Sequence, residues 1–136
     1  MPQLGRDYAG LMRGKIVIDC GNPVARRDGP MADAALTKGT GVATAEFFPD
    51  VRLARAFNAV SFIEVNREAH RDGELIGIPF AADDTEAIAV TRQLIADAGF
   101  DPVFVGGLAR AREFDRGTEV YVKGMTAREI REILGL

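Results

Sequence analysis

Apolar residues fall along this chain in short blocks separated by glycine, proline and charged turns, and the blocks predict strands and helices in alternation. Residues 15–23 read Lys-Ile-Val-Ile-Asp-Cys-Gly-Asn-Pro. The β-branched run Ile16, Val17, Ile18, stopped by a Gly-Asn-Pro corner, suits a strand buried on both faces. Before it, Leu4, Tyr8, Leu11 and Met12 share one helical face that ends at Gly14. After it, residues 24–41 are glycine-rich and charged and predict a loop, with a short helical piece at 31–36 and glycines 39 and 41 closing it. One or two helical turns follow at 44–48, then a second strand at 51–57 and helical spacing at 59–70. A third strand is expected at 75–82. The strongest helix comes next: Asp83-Asp84-Thr85-Glu86 supplies a cap, Ile88, Thr91, Leu94, Ile95 and Ala98 form an inward stripe, and Gly99 stops it. A fourth strand at 103–105 ends at Gly106-Gly107, residues 110–118 look irregular, and 119–122 suit a short edge strand. Thr126-Ala127-Arg128-Glu129 is a capping box opening a last helix to Leu134.

Strands alternating with helices, with near-continuous apolar strands, predict an α/β fold built on a parallel sheet with helices on both faces. The loops after the four strands, at 20–23, 58–60, 83–85 and 106–108, should then line up along one edge. In open α/β sheets that edge is where ligands bind.

Composition narrows the classes. At 136 residues, 47% hydrophobic and 27% charged, the chain makes one ordinary domain, 1–136, with its own core. A net charge of -3 provides no broad positive field, which argues against nucleic acid as a partner. Cys20 is the one cysteine, so no internal disulfide forms and a reducing compartment fits. No apolar run approaches membrane-spanning length and the first residues lack the apolar core of a signal peptide, so a cytoplasmic location with no membrane partner is expected.

The candidate chemistry is sparse. Gly39-Thr40-Gly41-Val42-Ala43-Thr44 approaches a dinucleotide fingerprint but lacks the third glycine and follows a helical piece, so it reads as plain loop. Asn22 and Asn58 each sit just past a strand, where an asparagine either bonds a ligand amide or phosphate or makes a local turn. Asp83 and Asp84 form a carboxylate pair for which capping accounts. His70, the single histidine, lies among polar neighbours, and no second His or Cys supplies metal spacing. Cys20 reads as a small buried hydrophobe, and Phe57 and Phe62 as packing residues. Arg26-Arg27 and Arg110 with Arg112 offer forks suited to a ligand phosphate or carboxylate. No nucleophile with a base is apparent, and no catalytic or metal residue is assigned.

Four segments, taken together and in order, resemble a known family. Val-Ile-Asp-Cys-Gly-Asn-Pro at 17–23, Arg-Ala-Phe-Asn-Ala-Val at 55–60, Ile-Pro-Phe-Ala-Ala-Asp-Asp at 78–84 and Ala-Gly-Phe-Asp-Pro-Val-Phe-Val-Gly-Gly-Leu-Ala at 98–109 are similar to the carboxyl-terminal part of NADPH-dependent coenzyme F420 reductases. These NADP oxidoreductases transfer hydride between NADP and a 5-deazaflavin, and the cytosolic domain of the STEAP-type metalloreductases is a relative. The resemblance implies a partial Rossmann-like parallel sheet with flanking helices, the distal half of an NAD(P)-binding domain. The opening strand, Gly-x-Gly-x-x-Gly turn and helix of the family have no counterpart here, so Met1 reads as an internal start or a truncated product. The implied cofactors are NADP and coenzyme F420 or a flavin. The implied cofactor-binding residues are Asn22, Pro23, Phe57, Asn58 and Ala59, with Gly106, Gly107 and Leu108 as a further wall. Hydride transfer between two cofactors asks for stacking and exclusion of water rather than an acid or base. Without an earlier strand, the edge at 16–19 lies open and a homodimer through that edge is expected. The alternative is a non-catalytic α/β interaction module that dimerises or complements a nucleotide-binding partner.

Overall fold

A computed structural model describes residues 2–136. Helix α1 (Pro2–Met12) leads into strand β1 (Ile16–Asp19), and three short helices follow, α2 (Ala25–Asp28), α3 (Pro30–Lys38) and α4 (Thr40–Phe47). Strand β2 (Arg52–Arg55), helix α5 (Phe62–Glu68), strand β3 (Gly77–Ala82), helix α6 (Thr85–Asp97) and strand β4 (Asp101–Gly106) come next. A 3-10 helix (Leu108–Phe114) and helix α7 (Ala127–Leu134) complete the chain. The strands form one open sheet in the order β1-β2-β3-β4, which is the α/β, Rossmann-like architecture the alternation predicts.

The sheet is not parallel throughout. β1 runs parallel to β2 and β3 to β4, but β2 and β3 are antiparallel, with Arg55 opposite Ala81. The connection between them carries two left-handed residues, Phe57 and His70, at φ 60 and 56, on either side of α5. The four strand-end loops therefore do not share an edge. Asp83 and Leu108 border a hollow with residues 49–53 at the start of β2, whereas Asn22 and Asn58 meet at its end.

Period-two alternation divides the core between the faces. Ile78 and Phe80 of β3 pack with Ile95 of α6 and Phe100 on one face, joined by Ile18 of β1. Ala81, Val103 and Val105 point the other way, onto Phe114 and onto Ala127 and Ile130 of α7. Each fully buried Phe contributes about 1.5–3 kcal/mol of burial free energy. The inward stripe of α6 is narrower than expected, since Ala87, Thr91 and Ile95 are buried while Leu94 is 46% exposed. Both helix-start signals are realised: the Asp84 carboxylate accepts from the Ala87 amide, and Thr126 and Glu129 form the reciprocal box of α7.

Three other local expectations give way to packing. Residues 40–44 are helix, not loop: Gly39, at φ 93, separates α3 from α4, and Gly41 sits inside α4. There it permits a close approach, because a Cβ would lie 3.0 Å from the Leu108 carbonyl oxygen and 3.1 Å from the Ala111 methyl. Residues 119–122 turn rather than extend, with Val120 in the core and the Val122 amide donating to the Ala59 carbonyl at 2.8 Å. Finally, α1 docks through Gly5, where a Cβ would meet the Phe47 carbonyl oxygen at 2.3 Å. The apolar stripe of α1 is consequently turned outward, leaving Leu4, Tyr8 and Leu11 exposed.

Candidate functional site

Arg55, the last residue of β2, organises the end of the sheet. Alternation turns its side chain toward α4 and the 3-10 helix, where it is fully buried. Burying a guanidinium carries a desolvation cost of several kcal/mol, which only well-placed carboxylates offset. Two are present. Arg55 Nε and Nη2 donate to Asp115 Oδ1 at 2.9 and 2.6 Å, and Nη1 donates to Asp19 Oδ2 at 3.1 Å and to the Gly21 carbonyl at 2.8 Å. One cation faces two anions, so the carboxylates need further donors. Asp19 receives the Thr44 hydroxyl and the Gly21 amide, both at 2.8 Å. Asp115 receives the Thr40 amide, at the positive N-terminus of α4, at 3.1 Å.

Beyond β1 the alternation continues and separates two hollows. Asp19, Gly21 and Pro23 line a cavity of about 230 Å³ on the side of α3 and α4. Cys20 and Asn22 line an open cleft of about 620 Å³ with Phe57, Asn58, Phe62 and Tyr121. The Arg55 network lies at the division between them.

In the cleft, the Asn22 carboxamide donates to the Asn58 carbonyl at 2.9 Å, and the Asn58 carboxamide donates to the Phe114 carbonyl at 3.0 Å. Asn58 Oδ1 is buried and has no partner among the described residues. An unpaired buried acceptor costs about 1–3 kcal/mol. Two strained residues flank it: Phe57 at φ 60 and Val122 at φ 50, a conformation costly for bulky side chains. Phe62, the first residue of α5, is 77% exposed on the rim and is not a packing residue. Cys20 is likewise exposed rather than buried. Its thiol pKa is still raised, first by partial burial and then by the Asp19 carboxylate, with Arg55 opposing.

The structure brings together only part of the expected set. Asn22, Phe57 and Asn58 share the cleft, Pro23 lines the cavity on the other side, and Ala59 is buried. Gly106 ends β4 and Gly107 and Leu108 follow it, the Leu108 amide donating to Asp83 at 3.0 Å. One arginine of each fork pair is engaged internally. Arg27 pairs with Asp28 and donates to the Asn22 carbonyl, and Arg110 pairs with Glu113. Arg27 and the Val24 amide draw the Asp28 carboxyl down to about 2. His70 is exposed in its turn, and no cluster of metal-ligating side chains occurs among the described residues. Asp19, Thr40, Thr44, Arg55 and Asp115 were not singled out by the sequence reading. Their one local signal is a charged residue closing each of two neighbouring apolar strands, at positions where alternation places both on the same face.

Solved structures share this fold, and two of them are crystal structures of bacterial proteins. One, of a hypothetical protein from Sinorhizobium meliloti, superposes with a TM-score of 0.67 at 21% identity over 87% of this chain and 60% of that one. The other, provisionally named an F420-dependent NADP-reductase, from Arthrobacter sp. FB24, gives 0.65 at 21% identity over 76% of this chain and 48% of that one. The chain thus spans about half to three-fifths of the length of these neighbours. No protein-family model and no curated protein matches the sequence. No helix among the described residues is long and apolar enough to cross a membrane.

Proposed function

We propose that this chain is the acceptor-side part of an oxidoreductase that transfers hydride between NADP(H) and a 5-deazaflavin such as coenzyme F420, or a flavin. The observation that carries the reading is Asn58, whose buried Oδ1 has no partner among the described residues, on the wall of a cleft it shares with Phe57, Phe62 and Tyr121. A flat ring bearing an N–H fits those residues: aromatic walls cover its faces and the carboxamide oxygen accepts from its polar edge. A cleft of about 620 Å³ suits a ring system of that size. The likeness in fold to a structure provisionally named an F420-dependent NADP-reductase supports the same class.

The hydride chemistry itself belongs to the cofactors. The residues of this chain bind, orient and exclude water. Asn22 fixes the Asn58 backbone, Asn58 anchors the ring edge, and Phe57 and Tyr121 shield its faces. The glycines at 39 and 41 do not fit a pyrophosphate, since they follow α3 and the first amide of α4 is occupied by Asp115.

The test is a fluorescence titration of the purified chain with oxidised 5-deazaflavin and with flavin, followed by addition of NADPH. Saturable ring binding weakened about tenfold in Asn58→Leu, a loss of about 1.4 kcal/mol, is the expected result. Absence of saturable ring binding to the folded wild-type chain overturns the reading.

A second reading, a non-catalytic module that associates with itself, is favoured by one observation. β1 lies at the edge of the sheet, and α1 beside it in sequence exposes Leu4, Tyr8 and Leu11. A homodimer through this edge should double the 14.7 kDa mass in light scattering. A mass that stays monomeric at high micromolar concentration counts against it.

A further inference from the structure

We propose that the open edge of β1 seats a second copy of this chain. The two β1 strands pair antiparallel about a twofold axis at Val17, and two four-stranded sheets join into one of eight. This pairing rests on the self-associating reading of the chain and specifies its partner and register.

The backbone of β1 is only half used. The Lys15 and Asp19 carbonyls accept from the Arg52 and Ala56 amides, so residues 15, 17 and 19 turn their backbone groups toward β2. By alternation the amides and carbonyls of Ile16 and Ile18 point to the open side, where they have no partner among the described residues. β1 packs mainly against β2 and α6. The run Ile16-Val17-Ile18 holds no proline, charge or bulge of the kind that protects an exposed edge.

The strand and its flank read Lys15-Ile16-Val17-Ile18-Asp19, which complements itself when reversed. Antiparallel pairing centred on Val17 sets Val17 against its own copy, each Ile16 against the partner's Ile18, and each Lys15 against the partner's Asp19. Ile16 and Ile18 then make the hydrogen-bonded pairs with the backbone groups that β2 leaves over. Lys15, Val17 and Asp19 fall on the pairs without hydrogen bonds, where side chains approach more closely and opposite charges or β-branched residues stabilise. Sliding one strand by two residues sets Val17 against Asp19 or against Lys15 and separates the charges.

Charge favours a second copy over an unrelated strand. Arg55 is one guanidinium between two carboxylates, so the buried cluster at the end of β1 keeps an excess of negative charge. Asp19 stays bonded to Arg55 and Thr44. Lys15 lies on the same face of the strand by alternation, is exposed, and takes part in no salt bridge among the described residues. Across the axis each ammonium comes beside the partner's cluster, and the attraction grows as the pairing displaces water. The partner's Lys15 thereby joins the network that divides the cleft from the cavity. Twofold closure also uses both β1 edges at once and leaves neither to propagate.

The experiment joins light scattering to disulfide trapping in the full chain, with Cys20→Ser as the background for the trapping. A strand pair this short makes a weak dimer, so the 14.7 kDa mass should double only as concentration rises into the high micromolar range. Val17→Cys should form a disulfide-linked dimer on mild oxidation, because Cα atoms in a pair without hydrogen bonds lie about 4.5 Å apart, within the span of a disulfide. Ile16→Cys and Ile18→Cys should each cross-link about tenfold more slowly alone, and readily when mixed, since the two positions face each other. Lys15→Glu should raise the dimer dissociation constant about tenfold, and Lys15→Arg should leave it nearly unchanged. In the wild-type chain, hydrogen exchange at the Ile16 and Ile18 amides should slow as concentration rises, a reading that stands even if a variant does not fold. A mass that stays monomeric, with exchange at those amides independent of concentration, leaves the edge to a different polypeptide and overturns self-association and pairing together. A dimer in which Val17→Cys cross-links no faster than Ile16→Cys, or in which Lys15→Glu associates as tightly as wild type, overturns the pairing alone.

Discussion

Where β3 and β4 finish, Asp83 accepts the Leu108 amide and Asp84 caps α6 through the Ala87 amide, so both carboxylates are used to hold backbone. Where β1 and β2 finish, Asp19 and Asp115 instead enclose a buried arginine, and the hydroxyl of Thr40 and the carboxamide oxygen of Asn58 are left free nearby. The left-handed residues Phe57 and Val122 also fall at this second end. The same residue types thus hold backbone at one end of the sheet and leave polar atoms unpartnered among the described residues at the other. Looking for ligands at strand carboxyl ends therefore requires knowing which way each strand runs, and here the reversal between β2 and β3 sends half of the loops to the closed end.

The sharpest way to break this contrast is Arg55→Met. It leaves two buried carboxylates without their cation, and a loss of about 3–5 kcal/mol is expected in urea unfolding, with part of it regained on adding Asp115→Asn. At the closed end, Asp84→Ala should cost about 1 kcal/mol from the lost cap while leaving ring binding in the cleft unchanged. Ring binding that falls together with the cap would mean the two ends are not independent. A smaller effect of opposite sign is expected for Val122→Gly, which relieves a left-handed valine at an exposed site. A gain of about 0.5 kcal/mol should remain after the added freedom of the unfolded chain is discounted.

The mildest effect is one of pH. The Asp28 carboxyl is depressed from 3.8 to about 2, chiefly by its bond to Arg27. A depressed folded-state pKa stabilises fully above the unfolded value and is lost as pH falls through the folded one. The turn that ties Val24 to Asp28 should therefore hold above pH 4 and loosen between about 4 and 2, seen as a shift of the Val24 amide resonance across that window.

Helices α6 and α7 were legible because their signals are local: a capping residue, a carboxylate three positions on and a helical period all occur within one segment. The four apolar strands were legible for the same reason. Strand direction was not, because an apolar run reads alike in either sense, and the left-handed conformations in the connection fall on Phe57 and His70, residue types that do not announce them. Helix α4 was hidden by Gly39 and Gly41, which look like breakers in sequence, although Gly41 is there for the contact with Ala111. Asn22 and Asn58 could be picked out from their places just past strands, whereas Phe57 read as a packing residue and entered only through the family resemblance. Arg55 could not, since its burial rests on a carboxylate 60 residues further along the chain.

That separation also bears on how the protein is made. The guanidinium joins positions 36 residues before it and 60 after it, so the network closes only when β1, β2 and the segment beyond the 3-10 helix are all in place. Contacts of such long range are late and slow to form. During synthesis Asp19 and Arg55 leave the ribosome well before Asp115, and for that interval a charged cluster short of one anion waits at the end of an unfinished sheet. The cleft, walled in part by Tyr121 and Val122, is complete only when the carboxyl-terminal third docks, whereas the cavity is lined by residues 19–47 alone.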